Sequence, residues 1–207
     1  MNELAGTKEL IFDAFIEMSS SFGYENVTMR DIAKKVGIHS SSIYYHYESK
    51  EMILTHVYDY YSTHYFDTRI PIEEMKKLIE TSNPEEFIFA LARNFVSDDQ
   101  KKSLRMILIT KIIYMRLFQD SAANAMFANH NASDSEYVVS ILQHGIEVGR
   151  IQPDFDLEVF AAVVTGSMMA MGIVAFADPS YIVGLLDHET RVRSMLAKLF
   201  AAALIQA

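Results

Sequence analysis

Apolar residues recur with the spacing of an α-helix along nearly the whole 207-residue chain. Near its start, Ile11, Phe12, Phe15 and Phe22 recur at the three-, four- and seven-residue steps that place side chains on one face of an α-helix. No run alternates between apolar and polar residues as a half-buried strand does, and the chain contains only four prolines. The sequence therefore predicts an all-α protein.

Capping residues, glycines and prolines predict where the individual helices begin and end. Thr28 with Asp31, and Ser133 with Glu136, have the spacing of capping boxes, and Asn83 precedes a proline suited to a first helical position. The predicted helices cover roughly residues 5–22, 28–36, 40–47, 49–66, 72–81, 84–97, 100–118, 120–130, 134–149, 156–176 and 188–205.

The composition limits where such a protein can act. The absence of Cys excludes disulfides and thiolate zinc sites and fits a cytoplasmic protein, and the charged first segment does not have the pattern of a signal peptide. The longest uncharged stretch, Phe160–Ala177, includes polar and glycine residues, so a buried packing helix is favoured over a membrane span. A net charge of −9 argues against a protein that coats nucleic acid non-specifically but permits a local DNA-binding face.

Residues 27–54 have the pattern of a helix-turn-helix. Two short predicted helices flank Gly37, which can take a backbone conformation that other residues resist. Five apolar residues are placed to pack the two helices together: Ile32, Ala33, Val36, Ile38 and Ile43. Any helical hairpin shows similar spacing, so this pattern alone leaves a purely structural hairpin open.

The polar residues of the second short helix favour a DNA-binding role. Its N-terminal end is the end that enters the major groove in a DNA-binding helix-turn-helix. The polar groups that can reach bases or phosphates from this helix and from the start of the next are Ser40, Ser41, Ser42, Tyr44, Tyr45, His46 and Lys50. Within residues 27–50, four basic and two acidic side chains give a local charge of +2 in a chain of opposite net charge.

The same region resembles the DNA-binding domain of the TetR/AcrR family of transcriptional regulators. The resemblance covers about residues 8–54, and its in-register residues are Ile32-Ala33, Gly37, Tyr44, Tyr47 and Ser49-Lys50-Glu51. Beyond this region the chain is similar to the family in its number of helices and in the pattern Gly149-Arg150-Ile151-Gln152-Pro153-Asp154. The resemblance implies a three-helix helix-turn-helix domain at residues 1–48 and a larger helical body for effector binding and dimerisation at residues 49–207.

The resemblance also implies a role for each polar residue of the DNA-binding domain. Thr28, Tyr44 and Lys50 would contact phosphates, Lys50 from the N-terminus of a helix. Arg30 would reach a base edge or a phosphate. The serines at 40–42 would face the groove, with Tyr45 and His46 at bases or backbone, whereas Tyr47 is expected in the core. The implied partner is double-stranded DNA with a palindromic operator, bound by a homodimer.

The helix at residues 49–66 is expected to act as a linker, because its start lies at the DNA and its far end packs into the body. The resemblance implies that an effector tilts this helix and changes the separation of the two recognition helices. The predicted helices at 156–176 and 188–205 have the small and apolar residues of a dimerising pair, with a monomeric core as the alternative. The residues expected at this interface are Ala162, Gly166, Ala170, Val192, Met195, Leu199 and Phe200.

Flexible and aromatic side chains in the body are suited to an apolar pocket for a small, largely apolar effector. These are Met106, Tyr114, Met115, Phe118, His144, Met168 and Met171, although core packing explains the same pattern.

No phosphate loop, nucleophile motif or cofactor motif stands out, and His130 and His144 are too isolated to predict a metal site. We therefore expect no enzyme activity, cofactor or metal, and the alternative to a regulator is a helical adaptor with a vestigial DNA-binding domain.

Overall fold

The computed structural model describes residues 2–67, 69–83, 86–87, 90–91, 100–154 and 156–177. Their seven main helices are α1 (Asn2–Phe22), α2 (Met29–Val36), α3 (Lys50–His64), α4 (Ile72–Thr81), α5 (Gln100–Arg116), α6 (Ser121–Glu147) and α7 (Leu157–Ala177). Two short 3-10 helices, Tyr24–Asn26 and Ser42–Tyr45, lie between the first three. No β-strand occurs among these elements, so the predicted all-α class is confirmed.

The chain divides into two compact units. The first comprises Met1–Asp67 with Ser97–Phe127, and the second comprises Thr68–Val96 with Ala128–Ala207. The first unit therefore contains the predicted DNA-binding domain together with α3, α5 and the first residues of α6. The functional boundary at residue 48 stays a prediction.

The core of the first unit is built by apolar faces of α1, α2, α3 and α5. Ile32 and Ala33 of α2 and Ile43 of the second 3-10 helix are buried as predicted, and Val36 and Ile38 pack against them while partly exposed. Other fully buried members of this core are Ile11, Phe15, Val27, Ile53, Val57, Ile109 and Ile113. This packing fixes the helix-turn-helix against α1 and leaves its polar residues outside the core.

The second unit has its own core, formed by α4, α6 and α7. Met75 and Ile79 of α4 pack with Ile141 of α6, and Phe160 of α7 joins the same cluster. Gly149, with φ +72°, ends the turn after α6 and confirms the predicted break there.

Two predicted helices, 120–130 and 134–149, form one continuous helix, α6, so the predicted capping box at Ser133 and Glu136 is wrong. The polar cluster at residues 131–134 resembles a boundary, yet no Gly or Pro interrupts the helix there. Asp134 is buried, and its carboxylate forms an ion pair with Arg69. Its polarity therefore serves a tertiary contact rather than a helix start.

The start of the predicted helix 84–97 is supported by Asn83, whose side-chain oxygen accepts a hydrogen bond from the backbone N–H of Glu86 at 2.9 Å. Most of that helix and the whole predicted helix 188–205 lie outside the described residues.

Helix α7 matches the predicted helix 156–176, and in the single chain only part of its apolar surface is buried. Phe160, Ala161 and Val164 pack into the second unit, whereas Val159 and Val163 are more than half exposed. Over Leu157–Val174 the helix is long and apolar enough to cross a membrane by length and composition, and 19% of that window is buried in the single chain. A helix that is apolar all round can bury only one face against a single neighbouring core.

Candidate nucleic-acid interface

Thr28 begins the helix-turn-helix with a capping box. Its hydroxyl oxygen accepts a hydrogen bond from the backbone N–H of Asp31 at 3.2 Å, and the Asp31 carboxylate accepts one from the backbone N–H of Thr28 at 3.1 Å. The hydrogen bonds from Thr28 lower the pKa of the Asp31 carboxyl. The predicted capping box is therefore confirmed, and it leaves Thr28 and Arg30 exposed at the N-terminal end of α2.

Gly37 ends α2 in the left-handed conformation that the sequence predicts for the turn. Its φ is +80° and its ψ is 26°, and its backbone N–H donates to the carbonyl oxygens of Ala33 at 3.0 Å and Lys34 at 3.3 Å. These bonds satisfy carbonyl groups that a helix end otherwise leaves unpaired. The chain then leaves α2 in a defined direction towards His39.

The segment expected to form the recognition helix is shorter and tighter than predicted. It is the four-residue 3-10 helix Ser42–Tyr45, preceded by a turn that His39 fixes. The ring nitrogen Nδ1 of His39 accepts a hydrogen bond from the backbone N–H of Ser41 at 3.3 Å and lies 2.7 Å from the Ser41 hydroxyl. Ser41 stands at the N-cap position of this 3-10 helix, but its side chain is engaged with His39 and makes no capping hydrogen bond.

The side chains of this segment divide between core and solvent. Ile43 and Tyr47 are buried, which confirms the core position predicted for Tyr47. Tyr44 is 51% exposed and Tyr45 is 87% exposed. Ser40 and Ser41 are also exposed, and Ser42 and His46 are half-buried. Two adjacent aromatic rings thus project from a segment whose other face is anchored in the core.

A hydrogen bond ties Tyr47 to α3. The Tyr47 hydroxyl lies 2.6 Å from Nδ1 of His56. Burial raises the pKa of Tyr47 to about 12 and lowers the pKa of His56. At neutral pH the tyrosine therefore donates and the neutral imidazole accepts, which fixes the base of the recognition segment on α3.

Lys50 begins α3 after Ser49, whose side chain accepts a hydrogen bond from the backbone N–H of Met52 at 3.3 Å. The Lys50 ammonium donates to the carbonyl oxygen of Tyr24 at 2.9 Å and lies 4.0 Å from the centroid of the Tyr24 ring. An ammonium carries three N–H donors, so the bond to Tyr24 leaves two of them for another acceptor.

Sequence reasoning missed Tyr24 and Arg116. The guanidinium of Arg116, at the end of α5, lies 4.2 Å from the centroid of the Tyr24 ring. Ninety-two positions separate these two residues in the chain, and neither belongs to a local motif that would have indicated the contact.

The residues predicted to line an effector pocket are distributed over both units. Met106 and Tyr114 pack partly buried on the first core, whereas Met115 is 48% exposed and Phe118 is 92% exposed. His144 of the second unit lies 2.6 Å from the carboxylate of Glu80. Met168 and Met171 belong to α7, but their side chains lie outside the described residues.

The residues predicted at the dimer interface are only partly described. Ala162, Gly166 and Ala170 are exposed on α7. Val192, Met195, Leu199 and Phe200 lie outside the described residues.

Residues 11–57 match the family described as bacterial regulatory proteins of the tetR family. The chain is 46% identical over 46 residues to the negative transcriptional regulator IcaR of the biofilm operon icaADBC of Staphylococcus epidermidis. That alignment covers 22% of this chain and 25% of IcaR, so the chain spans about a quarter of the length of the curated relatives it matches. The family match at residues 11–57 contains the helix-turn-helix.

Solved structures show a similar fold over nearly the whole chain. A transcriptional regulator from Saccharomonospora viridis in complex with choline has a TM-score of 0.67 at 14% identity, covering 98% of this chain and 100% of that one. A TetR transcription regulator from Haloarcula marismortui has a TM-score of 0.63 at 19% identity, covering 97% of this chain and 100% of that one. Residues 11–57 are therefore a DNA-binding domain of the tetR family of bacterial regulatory proteins, and the chain as a whole has the fold of the solved TetR-family regulators.

Proposed function

We propose that the chain is a sequence-specific repressor that binds a palindromic operator as a homodimer in the cytoplasm and is released by a small, largely apolar effector. The observation that carries the proposal is the pair of exposed rings, Tyr44 and Tyr45, on a segment anchored through Ile43 and Tyr47. Exposed aromatic side chains without a core function favour an interface, and their hydroxyl groups are hydrogen-bond donors for phosphates and bases.

The proposed contacts divide into phosphate and base contacts. Tyr44 would donate a hydroxyl hydrogen bond to a phosphate, and Thr28 would contact another from the N-terminal end of α2. Lys50 would supply a charge at the start of α3, where the helix dipole also favours an anion. Arg30 would reach a base edge or a phosphate. The remaining groove contacts would come from Ser40, Ser41, Ser42, Tyr45 and His46.

The repressor role and the binding of a small molecule have support from the similar proteins. IcaR is named a negative regulator, and the structure from S. viridis contains choline, a small organic molecule. The proposed effector contacts are Met106, Tyr114, Met115, Phe118, His144, Met168 and Met171. Binding there would act through α3, the proposed linker helix, provided that the effector binds one conformation better than the other.

The proposed dimer interface is the exposed apolar surface of α7 with the last predicted helix. Val159, Val163 and Ile173 are at least half exposed in the single chain, and Ala162, Gly166 and Ala170 permit close helix approach. Covering this surface with a second copy would satisfy its apolar character without a membrane. The last predicted helix would contribute Val192, Met195, Leu199 and Phe200 to the same interface.

The test begins with selection of bound duplexes from a randomised library by the purified protein. A palindromic consensus is the expected result. Tyr44→Phe, which removes one hydroxyl group, should then weaken binding to that duplex by roughly five- to tenfold per half-site, the value of one hydrogen bond of about 1–1.5 kcal/mol. Lys50→Ala should also reduce the salt slope of log K by about one per half-site.

The control is Lys77→Ala, which makes the same change of charge on the exposed surface of α4, outside the DNA-binding domain. Its affinity and salt slope should equal those of the unmodified protein. Failure to enrich any palindrome at moderate salt, or equal slopes for Lys50→Ala and Lys77→Ala, would contradict the proposal.

A further inference from the structure

The ring of Tyr24 contacts two cations that come from different helices. Lys50 Nζ, at the start of α3, lies 4.0 Å from the ring centroid, and Arg116 Cζ, at the end of α5, lies 4.2 Å from it. Both distances fall well within the range of about 6 Å over which a cation is attracted to an aromatic ring. Tyr24 is 9% exposed, so these contacts are largely shielded from water, which strengthens them.

Tyr24 also holds the start of α3 through its polar atoms. Its carbonyl oxygen accepts the hydrogen bond from Lys50, and its hydroxyl group donates one to Oε1 of Glu51 at 3.1 Å. Burial and then the bond to Glu51 raise the pKa of Tyr24 to about 12, so the hydroxyl remains a donor at neutral pH. The position of the Lys50 ammonium is therefore set by Tyr24.

Hydrogen bonds to three other residues hold the Arg116 side chain in place. Its guanidinium donates to the Asp120 carboxylate at 2.9 Å, to the Tyr58 hydroxyl at 3.2 Å and to the Glu25 carboxylate at 3.2 Å. Its side chain is 14% exposed. These partners direct Arg116 towards Tyr24 and neutralise its charge, so the guanidinium is not itself available as a phosphate contact.

We propose that Arg116 is a positioning residue for DNA binding, which acts through Tyr24 to hold the Lys50 ammonium where it meets a phosphate. The proposal rests on the phosphate contact assigned to Lys50 under the proposed function. Helix α5 also carries Met106 and Tyr114 of the proposed effector contacts. An effector that shifts the end of α5 would therefore move the Arg116 guanidinium relative to the Tyr24 ring. This would weaken the DNA contact of Lys50, although the effector does not contact Lys50.

The first test compares salt slopes for the duplex selected by the unmodified protein. Arg116→Gln should lower the slope by about one per half-site, as Lys50→Ala does, and weaken binding roughly eightfold per half-site at 0.1 M salt. The double variant should show no further loss, because both changes remove the same contact. Arg116→Lys, which keeps a cation near the ring, should recover part of the slope.

Arg105 supplies a matched control on the same helix. Its side chain is also 14% exposed and pairs with two carboxylates, those of Glu9 and Asp13, and it does not contact Tyr24. Arg105→Gln therefore removes equivalent ion pairs from the same unit and should leave the salt slope unchanged. Equal slopes for the Arg105→Gln and Arg116→Gln variants, or additive losses in the double variant, would overturn the proposal.

A measurement without DNA separates this proposal from the proposed function. In the free protein, the ε-methylene protons of Lys50 should show an upfield ring-current shift by NMR, assigned by their loss in Lys50→Ala. Arg116→Gln should reduce that shift and Arg105→Gln should not. A shift that Arg116→Gln leaves unchanged overturns the positioning role even if DNA binds. A reduced shift in a protein that selects no DNA supports the positioning of Lys50 and removes the proposed function instead.

Tyr24→Leu keeps the proposal testable if Arg116→Gln fails to fold. It removes the ring that joins the two cations, and it should lower the salt slope as much as Lys50→Ala does. A Tyr24→Leu protein that is folded by circular dichroism and binds with the unmodified slope would overturn the proposal.

Discussion

Replacing Gly37 with Ala tests whether the turn of the helix-turn-helix depends on backbone conformation alone. A Cβ built on Gly37 meets no described atom within 4 Å, so steric overlap with neighbours contributes nothing to the cost. The φ of +80° remains, and the left-handed conformation costs an L-residue roughly 1–2 kcal/mol. Alanine also lowers the entropy of the unfolded chain, which offsets about 0.4–1 kcal/mol. The expected net loss of stability is therefore about 1 kcal/mol.

The assay is urea unfolding followed by circular dichroism, together with the melting temperature. For a chain of this length, 1 kcal/mol corresponds to a fall of about 2–4 °C. Gly37→Asn should lose less than Gly37→Ala, because Asn visits the left-handed region more readily than other residues with a Cβ. The hydrogen bonds from the residue 37 backbone N–H are open to all three residue types.

Gly6 provides the control, because its Cβ would also meet no described atom within 4 Å but its backbone is part of α1. Gly6→Ala should be neutral or stabilise by up to about 1 kcal/mol, since alanine is the better helix former. The conformational reasoning would be refuted if Gly37→Ala were as stable as the unmodified protein. It would also be refuted if Gly37→Asn lost as much unfolding free energy as Gly37→Ala.

Two further predictions concern packing and pH. A Cβ at Gly145 would lie 2.5 Å from Cδ1 of Ile79 and 2.8 Å from Cδ1 of Ile151, an overlap that costs about 1–3 kcal/mol. Alanine is the better helix former and offsets up to about 1 kcal/mol of this, so Gly145→Ala should destabilise by roughly 1–2 kcal/mol in urea unfolding. Ile79→Val, which removes one of these methyl groups, should recover part of that loss in the double variant, and purely additive losses would contradict the overlap. Burial, and after it the charge of Lys8, lowers the pKa of His56 in the folded state. The unfolded chain therefore takes up a proton at His56 more readily than the folded protein does. This costs nothing above about pH 6.5, where His56 is neutral in both states, and it lowers the free energy of unfolding as pH falls below that value. The melting temperature should therefore fall more between pH 7.5 and 5.5 in the unmodified protein than in His56→Gln, and equal falls would exclude this contribution.

Local sequence signals predicted the helix-turn-helix well because its geometry depends on near neighbours. The capping box joins residues three apart, and the turn needs one glycine with positive φ. The buried residues Ile32 and Ile43 are apolar because only apolar side chains are stable there. The form of the recognition segment was not predictable in the same way. The contact of His39 with Ser41 depends on rotamers that spacing does not determine.

Contacts that join distant parts of the chain were beyond sequence reasoning. The polar residues around Asp134 have the composition of a helix boundary. In the structure, however, Asp134 forms an ion pair with Arg69, and α6 continues through that position as one helix. A single sequence carries no record of which residue an isolated charge will meet. The same reasoning explains why Lys50 could be proposed as a DNA contact while its tie to Arg116 could not.

Ile43 and Tyr44 show where prediction of fold and prediction of function separate. These neighbours are 0% and 51% exposed, so one step along the chain passes from the core to the candidate interface. Burial restricts Ile43 to an apolar group, whereas exposure leaves the Tyr44 hydroxyl without a role in the core. Removing that hydroxyl should consequently change DNA affinity and leave the unfolding free energy within about 0.5 kcal/mol, as for most surface substitutions. A loss of DNA affinity in Tyr44→Phe can therefore be assigned to the interface itself, and not to a weakened fold.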